Sequence, residues 1–476
     1  MRSIPQEHAG NGSDHGRNQK KSIVRQDRIS CDPERHTIRV QDDLHYKVLN
    51  FSPFGLAIES DRPLDDAYDD IWFCVDNVAI NQLSLRKVYE NLIRRDCVHT
   101  AFSIEGQSLS IEAVSSMSTL NEILADAAKA FAQDADLRDD FKLIVLEIKD
   151  MLLRLQNDIN GLDKSSFGSD LTSIVQHENT IINRVSDYLS KNLDSFYAKV
   201  KLVLSDIDQA QLSNYYDYFR RNVGQIMYQA SYAHRAYTKP KGYAGDFEMM
   251  NHVYLREARG DSLFGKCLQR YFVDEPAGKA VRNREKYLRE KLKQTISNFA
   301  AHAEIKILSV ASGPALEVQN LIRDPLFQSQ NVQITLLDQD FDALKYAQRK
   351  IIEACRSHKK NITLKLINMS IKEVIRSGLP EDGFNLIYSA GLFDYFTDPV
   401  AVFTAQQLFK GLNKGGTLII GNFSMKNPNQ FAMGLIMDWN LIYRSEEKMQ
   451  ELFGGIGTYT LEQESQGINL FSNMRK

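Results

Sequence analysis

The feature that most constrains the fold is a short apolar run, Ile305-Lys-Ile-Leu-Ser-Val310. It opens into Ala311-Ser312-Gly313-Pro314-Ala315 and then into Leu316-Glu-Val-Gln-Asn-Leu-Ile322. A bounded apolar run, then small residues, then a helical period fits a buried strand that turns tightly into a helix. Small residues at 311, 313 and 315 let backbone approach a ligand, and the first turn of the following helix offers free N–H groups. A second run, Val332-Gln-Ile-Thr-Leu-Leu337, ends in Asp338 and Gln339. An acidic side chain at that strand end can accept the hydroxyls of a ribose; Asp340 is the fallback for the same role.

The pattern continues to the C-terminus. Ile362-Thr-Leu-Lys-Leu-Ile367 runs into Asn368 and Met369. Phe384-Asn-Leu-Ile-Tyr388 runs into Ser389, Ala390 and Gly391, and a Gly415-Gly416 turn precedes Thr417-Leu-Ile-Ile420. Strands alternating with helices predict a Rossmann-like α/β domain over residues 301–476, its sheet largely parallel and covered on both faces. Ligands of such sheets sit beyond the carboxyl ends of the strands, where all of these loops fall. The G-x-G-x-x-G fingerprint of nicotinamide enzymes is absent, which disfavours an oxidoreductase.

Upstream, 476 residues leave room for further domains. Residues 1–30 are polar and read as a flexible tail. Residues 31–117 carry short alternating runs such as Ile71-Trp-Phe-Cys-Val75, which predict a small β-barrel. Residues 118–235 show apolar stripes at spacings of three and four (Phe141, Ile144, Ile148, Leu152; Ile182, Val185, Leu189, Leu193), which predict a helical region and a possible homodimer surface. Residues 236–300 read as a loop and helices that cap the substrate or cofactor site.

Lys and Arg number 58 against 61 for Asp and Glu, a net charge of −3, so no nucleic-acid polymer is expected as partner. The five cysteines form no CxxC pair, so neither a disulfide framework nor a metal site is expected. No stretch of 18 apolar residues or secretory leader is seen, so the expectation is a cytoplasmic protein without a membrane span.

The order of parts over 300–476 resembles class I S-adenosylmethionine-dependent methyltransferases. Val310-Ala-Ser-Gly313-Pro-Ala resembles their glycine-rich first motif, Asp338 their ribose-binding acid, and Lys414-Gly-Gly416 the turn before their fifth strand. Ala311 and Ala315 stand where glycines are usual, and Ser309 where many members carry an acid. The resemblance implies S-adenosylmethionine as cofactor, held by Ala311, Ser312, Gly313, Pro314, Asp338, Gln339, Asn368, Met369, Ser389, Ala390 and Gly391.

Residues 228–289 are dense in polar and aromatic groups. Lys239-Pro-Lys241-Gly-Tyr243-Ala-Gly-Asp246-Phe-Glu248-Met-Met, Ala280-Val-Arg-Asn-Arg284, Gly391-Leu-Phe-Asp-Tyr395 and Asp438-Trp439-Asn-Leu-Ile-Tyr-Arg444 resemble bacterial proteins that make 3-hydroxypalmitic acid methyl ester, a quorum-sensing signal. That resemblance implies methylation of a fatty or 3-hydroxy fatty acid carboxylate. Such an acceptor is already nucleophilic and needs alignment more than a base. Arg235, Lys239, Lys241 and Tyr243 are candidates to orient it, while Asp246 and Glu248 would hold the loop or the cofactor. If the acceptor is instead a hydroxyl or amine of another small molecule or of a protein, Asp246, Glu248 or His234 could act as base.

In the N-terminal part, Arg35-His-Thr-Ile-Arg39 and Asn50-Phe-Ser52-Pro-Phe-Gly55 resemble the two ligand motifs of PilZ domains. The resemblance implies cyclic di-GMP, with paired guanidinium groups on its phosphates and bases. A non-catalytic protein responding to that nucleotide, on a methyltransferase fold, is the reading from another class.

Overall fold

Alternation closes the N-terminal strands on themselves. The computed structural model describes residues 29–476 apart from 31, 41–43, 95, 107, 163–169, 301–302 and 328–330. The tail expected over 1–30 therefore lies outside the described residues, except for the short strand β1 (Ile29–Ser30). β2 (His36–Val40), β3 (Leu44–Ser52), β4 (Gly55–Ser60), β5 (Ala67–Val75), β6 (Val78–Arg94) and β7 (Cys97–Glu105) follow. They pair antiparallel in the order β3-β2-β5-β6-β7-β4, and β3 also pairs with β4, so six strands close into a barrel without a free edge. Asp76 and Asn77, both at positive φ, make the tight turn between β5 and β6. Ile38, Val48, Leu56, Ile58, Phe73, Leu85 and Phe102 fill the interior. Helix α1 (Ile111–Ala135) adds Val114 to that core. The chain divides into two units, one ending at Ala135 and one beginning at Asp136, so α1 belongs with the barrel.

The second unit opens with the expected helices, α2 (Asp139–Asn160), α3 (Leu171–Leu204), α4 (Leu212–Phe219) and α5 (Gln225–Met227). α6 (Ser231–Thr238), α7 (Phe247–Leu255), α8 (Leu263–Asp274) and α9 (Pro276–Ser297) complete them. The stripes on α2 and α3 are buried at Phe141, Ile148, Leu152, Ile182, Leu189 and Leu193. They share one core with Met433, Leu435, Met437 and Trp439, far along the chain. Tyr228 donates to the Ile436 carbonyl (2.7 Å) and Arg220 to those of Leu435 (3.0 Å) and Gly434 (2.6 Å). The helical region is thus fastened to the sheet domain as one body.

That domain runs β8 (Ile305–Val310), α10 (Leu316–Arg323), β9 (Val332–Asp338), α11 (Phe341–His358), β10 (Thr363–Asn368), α12 (Ile371–Ser377) and β11 (Phe384–Ser389). It continues with α13 (Asp398–Lys410), β12 (Leu412–Phe423), α14 (Gln430–Met437), α15 (Glu446–Phe453), β13 (Thr458–Gln463) and β14 (Asn469–Arg475). The sheet order is β10-β9-β8-β11-β12-β14-β13. Five strands are parallel, and β14 and β13 add an antiparallel edge that the sequence pattern did not reveal. The chain leaves β8 toward β9 and later returns to its other side as β11. This reversal opens a crevice at the carboxyl ends of β8 and β11. Among the described residues no helix is long and apolar enough to cross a membrane.

Candidate functional site

A cavity of about 480 Å³ occupies that crevice. Its floor is the loops after β8, β9, β10 and β11, which contribute Ala311, Ser312, Gly313, Pro314, Asp338, Gln339, Met369, Ala390 and Gly391. Its roof comes from the α6–α9 segment, through Lys241, Tyr243, Gly245, Phe247, Met250 and Arg284.

The first loop owes its shape to alternating left-handed residues: Ala311 (φ 53°), Gly313 (φ 51°) and Ala315 (φ 49°). Two of the three carry a Cβ, at roughly 1 kcal/mol each. The conformation turns the Gly313 N–H onto Asp338 Oδ2 (2.8 Å), while the Asp340 N–H donates to Oδ1 (2.9 Å). Asp338 is 6% exposed, and burial raises its carboxyl pKa against the opposing pull of these hydrogen bonds. Ser312 Oγ is buried in the cavity wall without a hydrogen-bond partner among the described residues. Asn368 does not line the cavity; its Nδ2 donates to the carbonyls of Asp338 and Gln339 (both 3.0 Å) and fixes the turn that carries them. Ser389 is buried behind the wall.

The roof residues singled out from sequence divide in two. Tyr243 and Lys241 line the cavity; Arg235, Asp246 and Glu248 do not. Asp246, fully buried, caps α7 by accepting the Met249 N–H (2.9 Å). It also receives Arg235 Nε (2.8 Å) and Nη2 (2.7 Å), and Arg235 Nη1 reaches Glu248 (2.7 Å). This trio locks the loop. Lys241 is engaged by Asp342 (2.6 Å) and Asp340 (3.4 Å), and Lys239 by Asp438 (2.5 Å). Gly245 belongs where it is because a Cβ there would lie 2.9 Å from the Tyr395 hydroxyl and 3.2 Å from Trp439. His234 is absent from the lining, and Met433 and Met437 are buried in the helical core.

Several lining residues were given no role by the sequence reading. Arg284, 7% exposed, donates through Nη1 to the Ala390 carbonyl (2.5 Å) and approaches Met250 Sδ at 3.5 Å, with no ion pair among the described residues. Glu317, buried at the start of α10, accepts the Tyr388 hydroxyl (2.7 Å), and burial pushes its carboxyl up to about 7. Asp394, also buried, accepts the Phe423 N–H (2.6 Å) and is pushed by burial to about 6. Trp439 Nε1 donates to the Tyr395 hydroxyl (2.9 Å). Arg444, 1% exposed, ties this loop down by donating to the carbonyls of Phe393 (3.0 Å) and Phe396 (2.6 Å), to Asn422 and to Asp398. Arg284, Asp394, Tyr395 and Trp439 all fall within strings that carried the family resemblance. Glu317 left no signal, since an acid in the first turn of a helix is ordinary.

In the barrel, Arg35 is held by Asp76 (3.0 Å) and by Glu122 of α1 (2.7 Å). Arg39 lies on β2 opposite His45 and Trp72. Asn50 and Ser52 end β3, where Ser52 Oγ donates to the Gly55 carbonyl (3.3 Å).

A Rossmann-like sheet reversing at β8, with a small-residue loop over an acid at the end of β9, is the arrangement in which open α/β sheets bind nucleotide-type ligands. Residues 301–466 match the family model described as "Methyltransferase domain". No curated protein matches the chain. Among solved structures, the chain is similar to a possible exported protein from Bordetella parapertussis (15% identity, 71% of this chain and 95% of that one, TM-score 0.40). It is also similar to the N-methyltransferase NodS from Bradyrhizobium japonicum WM9, solved with S-adenosylhomocysteine (16%, 47% and 98%, TM-score 0.29). A third is the magnesium protoporphyrin IX methyltransferase from Synechocystis PCC 6803 (10%, 42% and 87%, TM-score 0.32).

The cofactor of such a domain, S-adenosylmethionine, finds a fitting set of groups. Asp338 retains free lone pairs for ribose hydroxyls, the left-handed loop leaves Gly313 open where a Cβ would meet nothing, and Ser312 Oγ awaits a partner.

Proposed function

We propose that this protein transfers the methyl group of S-adenosylmethionine to the carboxylate of a fatty or 3-hydroxy fatty acid. The observation that carries the reading is Arg284, a buried guanidinium in the cavity wall that makes no ion pair among the described residues, although the buried Glu317 and Asp394 carboxyls of the same wall feel its charge. A buried cation favours a bound anion as counter-ion, and a guanidinium matches a carboxylate in geometry. The cations first considered, Arg235, Lys239 and Lys241, are each neutralised by protein carboxylates.

The cofactor supplies an electrophilic methyl on a sulfonium centre. The chain's own part is to bind and align. Asp338 and Gln339 hold the nucleoside end, with the 311–314 loop beneath it, and Asn368 stiffens the turn. Met369 and Ala390–Gly391 form the adjoining floor. Arg284 orients the acceptor carboxylate, and Phe247, Met250, Leu392, Phe396 and Trp439 give the cavity the apolar wall an acyl chain requires. The Arg235–Asp246–Glu248 lock keeps the roof in place and excludes water. No base is needed.

A second reading rests on Glu317 and Asp394, two buried carboxyls in the same wall with raised pKa values. Either could take a proton from a hydroxyl acceptor. Incubating purified protein with S-adenosylmethionine and a panel of fatty and 3-hydroxy acids, with mass spectrometry of the products, tests the first reading. Methyl esters support it. Ether products, or no methylation of any acid, exclude it.

For the barrel we propose cyclic di-GMP as ligand, on the Asn50–Gly55 turn and the two arginines. Arg35 must leave Asp76 and Glu122 to reach a phosphate, so occupancy of the nucleotide would compete with those ion pairs.

A further inference from the structure

Outside the cavity, the barrel brings together three donors that lie far apart in sequence. Glu59 of β4 pairs directly with His99 of β7, and Cys97 sits two residues earlier on β7, so all three share one face of the sheet. The intervening residues Ile58, Val98 and Thr100 point the other way and are buried. Cys97 Sγ lies 3.6 Å from Glu59 Oε2, and His99 Nε2 lies 3.3 Å from the same oxygen. One ligand atom from each residue falls within 4.8 Å of the other two.

The two separations to Glu59 Oε2 match the edges of a coordination sphere, and the sulfur–nitrogen separation, within 4.8 Å, closes to such an edge with a small side-chain movement. Tetrahedral zinc with bonds of about 2.3 Å to sulfur and 2.0 Å to nitrogen and oxygen has ligand–ligand edges of about 3.5 Å (S–O) and 3.3 Å (N–O). The thiol is 5% exposed while the Glu59 and His99 side chains are more than a third exposed, which leaves an entry path from solvent. Arg94, opposite Cys97 in the register, turns instead to Asp96 (3.5 Å), so its charge is already partnered.

We propose that Glu59, Cys97 and His99 bind a divalent cation of the zinc class through Oε2, Sγ and Nε2, with water in the fourth position. A thiolate and an imidazole select a borderline-soft ion over calcium or magnesium, which prefer oxygen donors. The Cys97 thiol proton passes to solvent as the sulfur–metal bond forms, and no oxidation is involved. The cysteine spacing hides this site, because the carboxylate comes from a strand nearly forty residues earlier and only barrel closure sets it beside the other two.

The test is a cobalt(II) titration of the full chain, stripped with a chelator and kept reduced, read by absorption. One equivalent should bring a thiolate-to-cobalt charge-transfer band and the visible bands of a tetrahedral ion, both displaced by zinc. Cys97→Ser should abolish the charge-transfer band. His99→Gln, at a partly exposed position that keeps the barrel folded, should weaken binding by more than the 10–100-fold typical of outer-shell changes. Absence of the band in the wild-type chain, its persistence in Cys97→Ser, or unchanged affinity in His99→Gln would overturn the proposal.

Discussion

Gly313 donates its backbone N–H to Asp338 Oδ2 at 2.8 Å, so the first loop and the end of the second strand are set by one another. The same carboxylate caps the Asp340 N–H through Oδ1 at 2.9 Å. One side chain thus shapes the loop from below and keeps lone pairs for a ribose. Asp338→Ala is expected to weaken S-adenosylmethionine binding by about 10–100-fold, the value of hydrogen bonds to a charged group. Titration calorimetry with S-adenosylhomocysteine checks it, and unchanged affinity sinks the ribose role.

The loop lock makes a separate prediction. Asp246→Ala removes the α7 cap and leaves Arg235 with Glu248 alone. Losing one partner of a buried pair together with a cap should destabilise the unit by about 3 kcal/mol. Asp246→Asn preserves the cap acceptor and should lose less. Urea unfolding of both variants distinguishes this structural role from a catalytic one, in which Asn would be as inactive as Ala yet fully stable.

Much of the cofactor half was legible in the sequence, because buried parallel strands are near-continuous apolar runs and their loops fall at one edge. Asp338 and the 311–314 loop were placed at that edge in this way, and they line the cavity there. The roof was legible only as a string: Lys239–Met250 announced a shaped loop, but nothing in its order told that Asp246 would turn inward to Arg235 while Tyr243 faced the cavity. Arg284 stood in a quoted string but received no role, because a basic residue on a helix reads as a solvated face and its burial arises from the β11 end and α7. The antiparallel edge β13–β14 was missed for a similar reason: its last strand is buried along nearly its whole length and lacks alternation.

Burial of Glu317 gives stability a pH dependence. Its pKa rises from 4.5 to about 7 on folding, so between these values the native state binds the extra proton. Stability contributed by the neutral carboxyl is complete below about 4.5 and is lost as pH rises toward 7, by at most about 3 kcal/mol at about 1.4 kcal/mol per unit. Glu317→Gln should flatten this part of the profile, as measured by urea midpoints between about pH 4 and pH 8, a range that brackets the window from 4.5 to about 7. If activity instead falls with acid and the apparent pKa disappears in Glu317→Gln, the hydroxyl-acceptor reading gains and the carboxylate reading loses.

The barrel prediction turns on competition. The Arg35–Glu122 pair is half-exposed and worth at most about 1 kcal/mol. Glu122→Gln should therefore leave the melting temperature nearly unchanged and raise cyclic di-GMP affinity by up to about five-fold, 1.4 kcal/mol being tenfold. Arg35→Ala should abolish binding. Identical affinities in all three proteins, read by calorimetry, rule out Arg35 as a nucleotide ligand.

Arg284 separates binding from chemistry. Its Nη1 satisfies the Ala390 carbonyl and its Nη2 reaches Met250 Sδ, which fixes the guanidinium plane and leaves part of the five-donor fork for a ligand. A residue that orients the acceptor carboxylate before and during transfer contributes to ground and transition states alike, so its loss should raise KM for the acid more than it lowers kcat. Arg284→Ala is expected to raise that KM by about 10–100-fold, consistent with a charge-assisted hydrogen bond, with S-adenosylhomocysteine affinity unchanged. Arg284→Lys keeps the charge but loses the fork, and should recover only part of the effect. If instead the S-adenosylhomocysteine affinity collapses while KM for the acid holds, Arg284 clamps the amino-acid carboxylate of the cofactor, and the acceptor must be held by Tyr243 and the apolar wall alone.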